Sequence, residues 1–145
     1  MTTLYERDFY AWGKEQLSFL LSGSLKSLDL KNIIEEFDSV VRREKNELKS
    51  KLAVLIAHLL KWKYQPQFRS KSWKDTIGYC RMDVEFLLES SPSLENEIKE
   101  FWSMIYKKAK KRAQAETGLL REFPDECPFT QEQVKQEDWL PEDGE

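Results

Sequence analysis

The sequence predicts an all-α fold, an irregular four-helix bundle around a long central helix with an extended C-terminal tail packed across it. Three observations carry this. Apolar residues recur at helical spacing in four segments, and nowhere do they alternate as in a strand. Breakers are scarce, with five Gly and five Pro in 145 residues, and 34% of the residues are charged, a helix-friendly mixture. Capping patterns of Ser or Thr followed three residues later by an acid or Gln stand before several of the periodic runs.

The first helix starts at Thr3, whose spacing to Glu6 is that of a capping box, and runs to about Leu21 before Gly23 ends it. It carries Phe9, Trp12, Phe19 and Leu20 largely to one side. A second pattern begins near Asp29, with Leu30, Ile33, Ile34, Phe37, Val40 and Val41 on one face. The stretch Leu48 to Tyr64 follows, and within it Leu48, Leu52, Leu55, Ile56 and Leu59 share one face, with Val54 and Leu60 at its sides. This stretch is the expected core, and its apolar run of nine residues is far too short to span a bilayer. Two readings of residues 30–63 stay open: one helix of roughly 50 Å, bent at RREKNE, or two helices with a turn there.

Tyr64-Gln65-Pro66 closes that segment, because the residue before proline is pushed out of the helical region. Ser72 and Asp75 form a capping pair for the next helix, with Trp73, Ile77, Cys80, Val84, Leu87 and Leu88 at helical spacing. Ser91-Pro92 reads as an N-cap with proline at the first position. The helix it opens points Leu94, Ile98, Phe101, Trp102, Ile105, Ala109 and Ala113 inward and ends at Gly118. Thr130 and Gln133 cap one short helix in the tail, whose Phe123, Phe129, Trp139 and Leu140 are spaced to fill grooves on the body. One domain is expected, a helical bundle over 1–118 and a strapped tail over 119–145.

Charge divides the chain. From Glu122 onward nine acids face a single base, Lys135, a charge of −8, which leaves +5 on residues 1–121 within a net −3. The tail is either a solvated extension, lying across the basic body, or a block on an anion site of that body. Cys80 and Cys127 lie far apart without metal spacing, which points to a reduced, cytoplasmic setting, and no leader-like apolar segment opens the chain.

Three stretches together carry a resemblance: YERDFYAW at 5–12, AHLLKWKYQP at 57–66 leading to SKSWKDTI at 70–77, and TGLLREFPDECPFTQEQV at 117–134. In this order they resemble a bacterial family, largely cyanobacterial, catalogued as a domain of unknown function, the twenty-ninth in that series. The resemblance spans Tyr5 to Pro141 and implies a compact all-helical domain of about this length. It implies no activity.

Candidate chemistry starts with His58, the only histidine. It reads either as a core residue donating one N–H to a carbonyl or carboxylate, or as a general acid/base or metal ligand. Acids within reach of such a role are Asp8 on the first helix and Glu35, Glu36 and Asp38 on the second, but HExxH and ExxH are absent, so no metal or cofactor is assigned. The i,i+3 pairs Glu44/Glu47 and Glu97/Glu100 are interleaved with lysines and read as ion-paired surface. Cys80 lies on an inward stripe, and acidic neighbours should raise the Cys127 pKa. Lys107–Arg112 wraps round its helix as a solvated face, and a pI near 5.4 argues against nucleic acid. Arg69 and Lys71, just ahead of a helix N-terminus and ringed by Trp62 and Trp73, form either an anion or partner site or an aromatic mini-core with a stacked arginine. The leading functional expectation is a non-catalytic helical interaction module that binds a protein partner or itself, without membrane. The alternative is a metal-assisted phosphoester hydrolase using His58 and helix carboxylates.

Overall fold

A computed structural model describes residues 1–119 and 123–142. Every regular element in them is helical: α1 (Leu4–Arg7), α2 (Phe9–Ser22), α3 (Leu30–Tyr64), α4 (Lys71–Ser90), α5 (Leu94–Thr117) and α6 (Gln131–Lys135), with one-turn 3₁₀ segments at Leu25–Ser27 and Pro66–Phe68. The chain forms two compact units, residues 1–43 and 44–145, and their boundary falls inside α3.

α3 is one helix. Its 35 residues pass through RREKNE without a break, about 52 Å at 1.5 Å per residue. That segment holds no Gly and no Pro, and its Lys, Arg and Glu residues are good helix formers that carry the one weaker former, Asn46, within the helix.

In the N-terminal unit the first predicted helix is two. Thr3 and Glu6 form the expected reciprocal box, but the helix stops at Arg7 and Asp8 starts another, its Oδ1 accepting from the Ala11 N–H at 3.0 Å. A short acidic side chain that bonds its own downstream amide competes with the helix ladder, and here it wins. Gly23 ends α2 with φ +75°, the left-handed value that spares glycine a Cβ clash. Asp29 then ties the unit together. Its Oδ2 accepts from Trp12 Nε1 at 2.9 Å and Asn32 Nδ2 at 2.8 Å, and its own N–H donates to Gln16 Oε1 at 2.7 Å. Those hydrogen bonds from Asn32 and Trp12 hold its carboxyl below the ordinary range. Tyr5, edge-on to Trp12 with ring centroids 4.8 Å apart, donates its hydroxyl to Glu36. Only Trp12 and Gln16 are buried in α2, and none of the expected apolar face of α3 between Leu30 and Val41 is.

The second unit holds the core. Leu48, Leu52, Leu55, Ile56, Leu59 and Leu60 of α3 are wholly buried. Ile77, Cys80, Val84 and Leu87 of α4 and Leu94, Ile98, Phe101 and Ile105 of α5 complete one contiguous cluster with them. Each such aliphatic side chain contributes roughly 1.5–3 kcal/mol over leaving it exposed. Ala109 and Ala113 are fully buried as well, the small residues on the inward stripe of α5. Two caps differ from expectation. Ser70, not Ser72, caps α4, with Oγ accepting from the Trp73 N–H at 3.2 Å, so Lys71 lies in the first turn rather than ahead of it. Ser91 closes α4 and gives its hydroxyl to Glu44, and α5 opens three residues later after a turn. Gly118 ends α5 at φ +75°.

The tail packs onto this core. Phe123, Phe129, Val134 and Pro141 are buried; Trp139 and Leu140 are partly so. Phe123 meets Tyr64 edge-on at 5.6 Å, and Tyr106 donates its hydroxyl to the Pro124 carbonyl. Thr130 and Gln133 make the expected capping box of α6. The parts of the tail at 120–122 and 143–145, including Glu122, Asp143 and Glu145 of the acidic count, lie outside the described residues. Arg81, buried in α4, provides a latch: Nε donates to Val134 O at 2.9 Å and Nη2 to Gln133 O at 3.2 Å. So short a helix leaves carbonyls at its end without full intrahelical partners; the guanidinium takes that of Val134 and joins the Gln136 N–H on that of Gln133. Replacing Arg81 by Ala should lower unfolding stability by about 2 kcal/mol, and Arg81→Lys should recover part of that. Urea denaturation of the two variants measures the difference; no loss in Arg81→Ala would show that the latch contributes nothing to stability.

Candidate functional site

The residues singled out from the sequence fall into two groups. Asp8 and Glu36 belong to the N-terminal unit, where Asp8 caps α2 and Glu36 takes the Tyr5 hydroxyl. That contact, with burial and the nearby Glu36 and Glu35 charges, pushes the Tyr5 hydroxyl up to about 12. His58, Trp62, Arg69, Lys71 and Trp73 belong to the second unit.

His58 is buried and its Nδ1 lies 2.9 Å from the Val54 carbonyl. A carbonyl only accepts, so Nδ1 carries the proton and the neutral ring leaves Nε2 bare. Burial lowers the His58 pKa, and the Lys61 charge acts in the same direction; the Val54 carbonyl opposes them. Lys61 has no assigned role in the sequence reading beyond its place in the AHLLKWKYQP stretch. Its side chain is 7% exposed, its Nζ sits 2.5 Å from Glu116 Oε2 and its ammonium lies over the Trp73 ring, 5.0 Å from the centroid. Arg112 Nε holds the other carboxylate oxygen at 3.0 Å. Burial works to raise the Glu116 pKa, but hydrogen bonds from Lys61 and Arg112 outweigh it and hold the carboxyl below its ordinary value. The signal for this buried lysine is its place one helical turn beyond a histidine at the end of an apolar run, while its partner Glu116 stays 36% exposed.

Arg69 stacks on Trp62, 5.1 Å from the ring centroid, and its Nε donates to the Trp62 carbonyl at 2.8 Å, one of the last carbonyls of α3. Lys71 reaches Asp75 at 2.7 Å on the exposed first turn of α4. Each cation in this neighbourhood thus already has a partner within the unit. Among the described residues no group of three or more His, Cys, Asp or Glu side chains converges as a metal set. Both thiols are pushed up, Cys80 and Cys127 alike, by burial first; for Cys127 the acidic neighbours expected from sequence are not the cause. A cleft of about 700 Å³ runs along the tail, lined by Lys63, Phe129, Gln133, Gln136 and Trp139 among others, and it includes none of the five residues above.

The N-terminal unit presents a different kind of surface. Phe9, Leu17, Leu20 and Leu21 of α2 are half or more exposed, and so are Leu30, Ile34, Phe37, Val40 and Val41 of α3. Leu30, Ile34, Phe37 and Val41 recur at i, i+4, i+7 and i+11, one stripe along the helix. A smaller exposed set, Tyr79, Met82 and Phe86, lies on α4. No described helix is long and apolar enough to cross a membrane.

Fold and site together define a small all-α module whose buried charges are internally paired and whose first 43 residues leave apolar side chains open. The chain belongs to the family described as Domain of unknown function DUF29, whose model matches residues 4–140. No curated protein and no solved structure matches it.

The lone histidine gives a clean titration. Its folded pKa lies below the ordinary 6.5, so the unfolded chain binds the proton first as pH falls. Stability held above pH 6.5 should therefore decline as pH drops from there through the folded pKa. The urea midpoint should fall between pH 7.5 and 5.5, and His58→Gln should flatten that slope. An unchanged slope in the variant would assign it elsewhere.

Proposed function

We propose that the chain is a non-catalytic interaction module that docks a protein through the open apolar stripe of residues 1–43. The carrying observation is the exposure of Leu30, Ile34, Phe37 and Val41 on one face of a helix that is buried from Leu55 to Lys61 further along. Monomeric proteins scatter exposed apolar residues singly; a contiguous helical stripe of large ones marks a docking surface. The near balance of charge in this unit, seven acids and six bases, suits an apolar contact and offers no strong field for a polyanion. The second unit supports the same reading as scaffold: Lys61, Arg69 and Lys71, the cations of its candidate site, are engaged within it, so it serves to hold α3 rather than to present a reactive group.

A photo-crosslinking amino acid in place of Ile34 or Phe37, in extract of the native host, should give protein adducts that the same probe at Lys108 on α5 does not. Phe37→Glu should cut the adduct yield from the Ile34 probe by roughly thirtyfold, the scale of a central anchor. Equal labelling from all three positions, or none from the stripe, would remove the proposal.

A further inference from the structure

Resting on that reading, we infer that the protein seated on the stripe is a second copy of this chain, bound antiparallel about a two-fold axis. Three observations point to it. The first is spacing. Leu30, Ile34, Phe37 and Val41 step by four, three and four residues, the heptad rhythm of a helix-to-helix seam, with Leu30 and Phe37 at d and Ile34 and Val41 at a. A strict seam of this kind is self-complementary, which is what a two-fold contact requires.

The second is charge. In that heptad frame Lys31 and Asp38 occupy successive e positions and carry opposite signs, while Ile33 and Val40 occupy g. Antiparallel helices set e against e, so Lys31 of each copy meets Asp38 of the other, and the apolar g positions meet each other. A parallel pair would set Lys31 and Asp38 against apolar g residues and leave them unmatched. In the single chain Asp38 bonds Arg42 at 2.9 Å, but both side chains are 61% exposed, so exchanging that bridge for an intermolecular one costs little.

The third is area. Eleven large apolar side chains between Phe9 and Val41 are half or more exposed. The five of them on α3, Leu30, Ile34, Phe37, Val40 and Val41, at about 100 Å² each present on the order of 500 Å², the apolar share of a standard interface of roughly 800 Å² per partner. A pair of helices around one buried tryptophan has little core of its own; two such pairs make a four-helix arrangement with one.

Sedimentation equilibrium of the purified full chain tests this. A particle of twice the chain mass is expected. Ile34→Lys combined with Phe37→Lys should raise its dissociation constant thirtyfold or more while leaving helical circular dichroism intact, because both side chains are exposed in the single chain. Lys31→Glu should weaken association by about fivefold, and Lys31→Glu with Asp38→Lys should restore it, a reciprocal effect that an unrelated partner would not give. A monomer at every accessible concentration overturns the inference. If stripe-specific adducts to other proteins persist in that case, docking stands with a different occupant; if they are absent too, both readings fall. A dimer indifferent to the stripe substitutions would also overturn it.

Discussion

Everything in the second unit depends on the desolvation of one half of one helix. From Leu52 to Leu60, α3 is apolar on nearly its whole circumference, and the other elements of that unit exist in register with it. α4 and α5 each lend a single stripe to cover it, and the tail adds Phe123, Phe129 and Val134. Polar groups drawn into this region are made to match. His58 spends its one proton on the Val54 carbonyl, Lys61 is neutralised by Glu116, and Arg81 caps the end of α6. No buried side-chain nitrogen or oxygen among the described residues lacks a partner, which is the condition for such groups to persist in a core.

The same helix behaves differently at its other end. Between Leu30 and Val41 it is amphipathic, and its apolar stripe is left open. What holds the first unit is mostly polar: Asp29 collects bonds from Trp12 and Asn32 and gives one to Gln16, with Tyr5 closing on Glu36. A unit built round a carboxylate and one indole fixes geometry well and buries little. Its apolar side chains remain for another surface, and the uninterrupted backbone of α3 joins that surface to a stable core.

Much of this was legible in the sequence. The four long helices, the burial of Leu52 to Leu60, the satisfied histidine, Gly23 and Gly118 as stops, the Thr130 capping box and the docking of the tail aromatics all follow from periodicity and capping chemistry. Failures cluster where two local signals compete. Ser70 and Ser72 both stand near the start of α4, and Ser70 takes the cap because its hydroxyl reaches the Trp73 amide. Asp8 reads as a helix-face acid until it is seen to cap Ala11. Periodicity also shows which residues share a face without showing whether that face is covered: Leu48 and Ile34 have the same signature, and only one of them is buried. The partners of Lys61 and Arg81 come from 55 and 53 residues away, a separation that no local pattern encodes.

The central claim is that α3 serves as core in one half and as a docking seam in the other. Amide hydrogen exchange read along α3 at several protein concentrations tests it most directly, because core amides open only with global unfolding whereas seam amides open with loss of the partner. The expected result is protection at Leu52–Leu60 that does not change with concentration, and protection at Leu30–Val41 that rises as the protein is concentrated. Equal protection of both halves, unmoved by concentration, would contradict it.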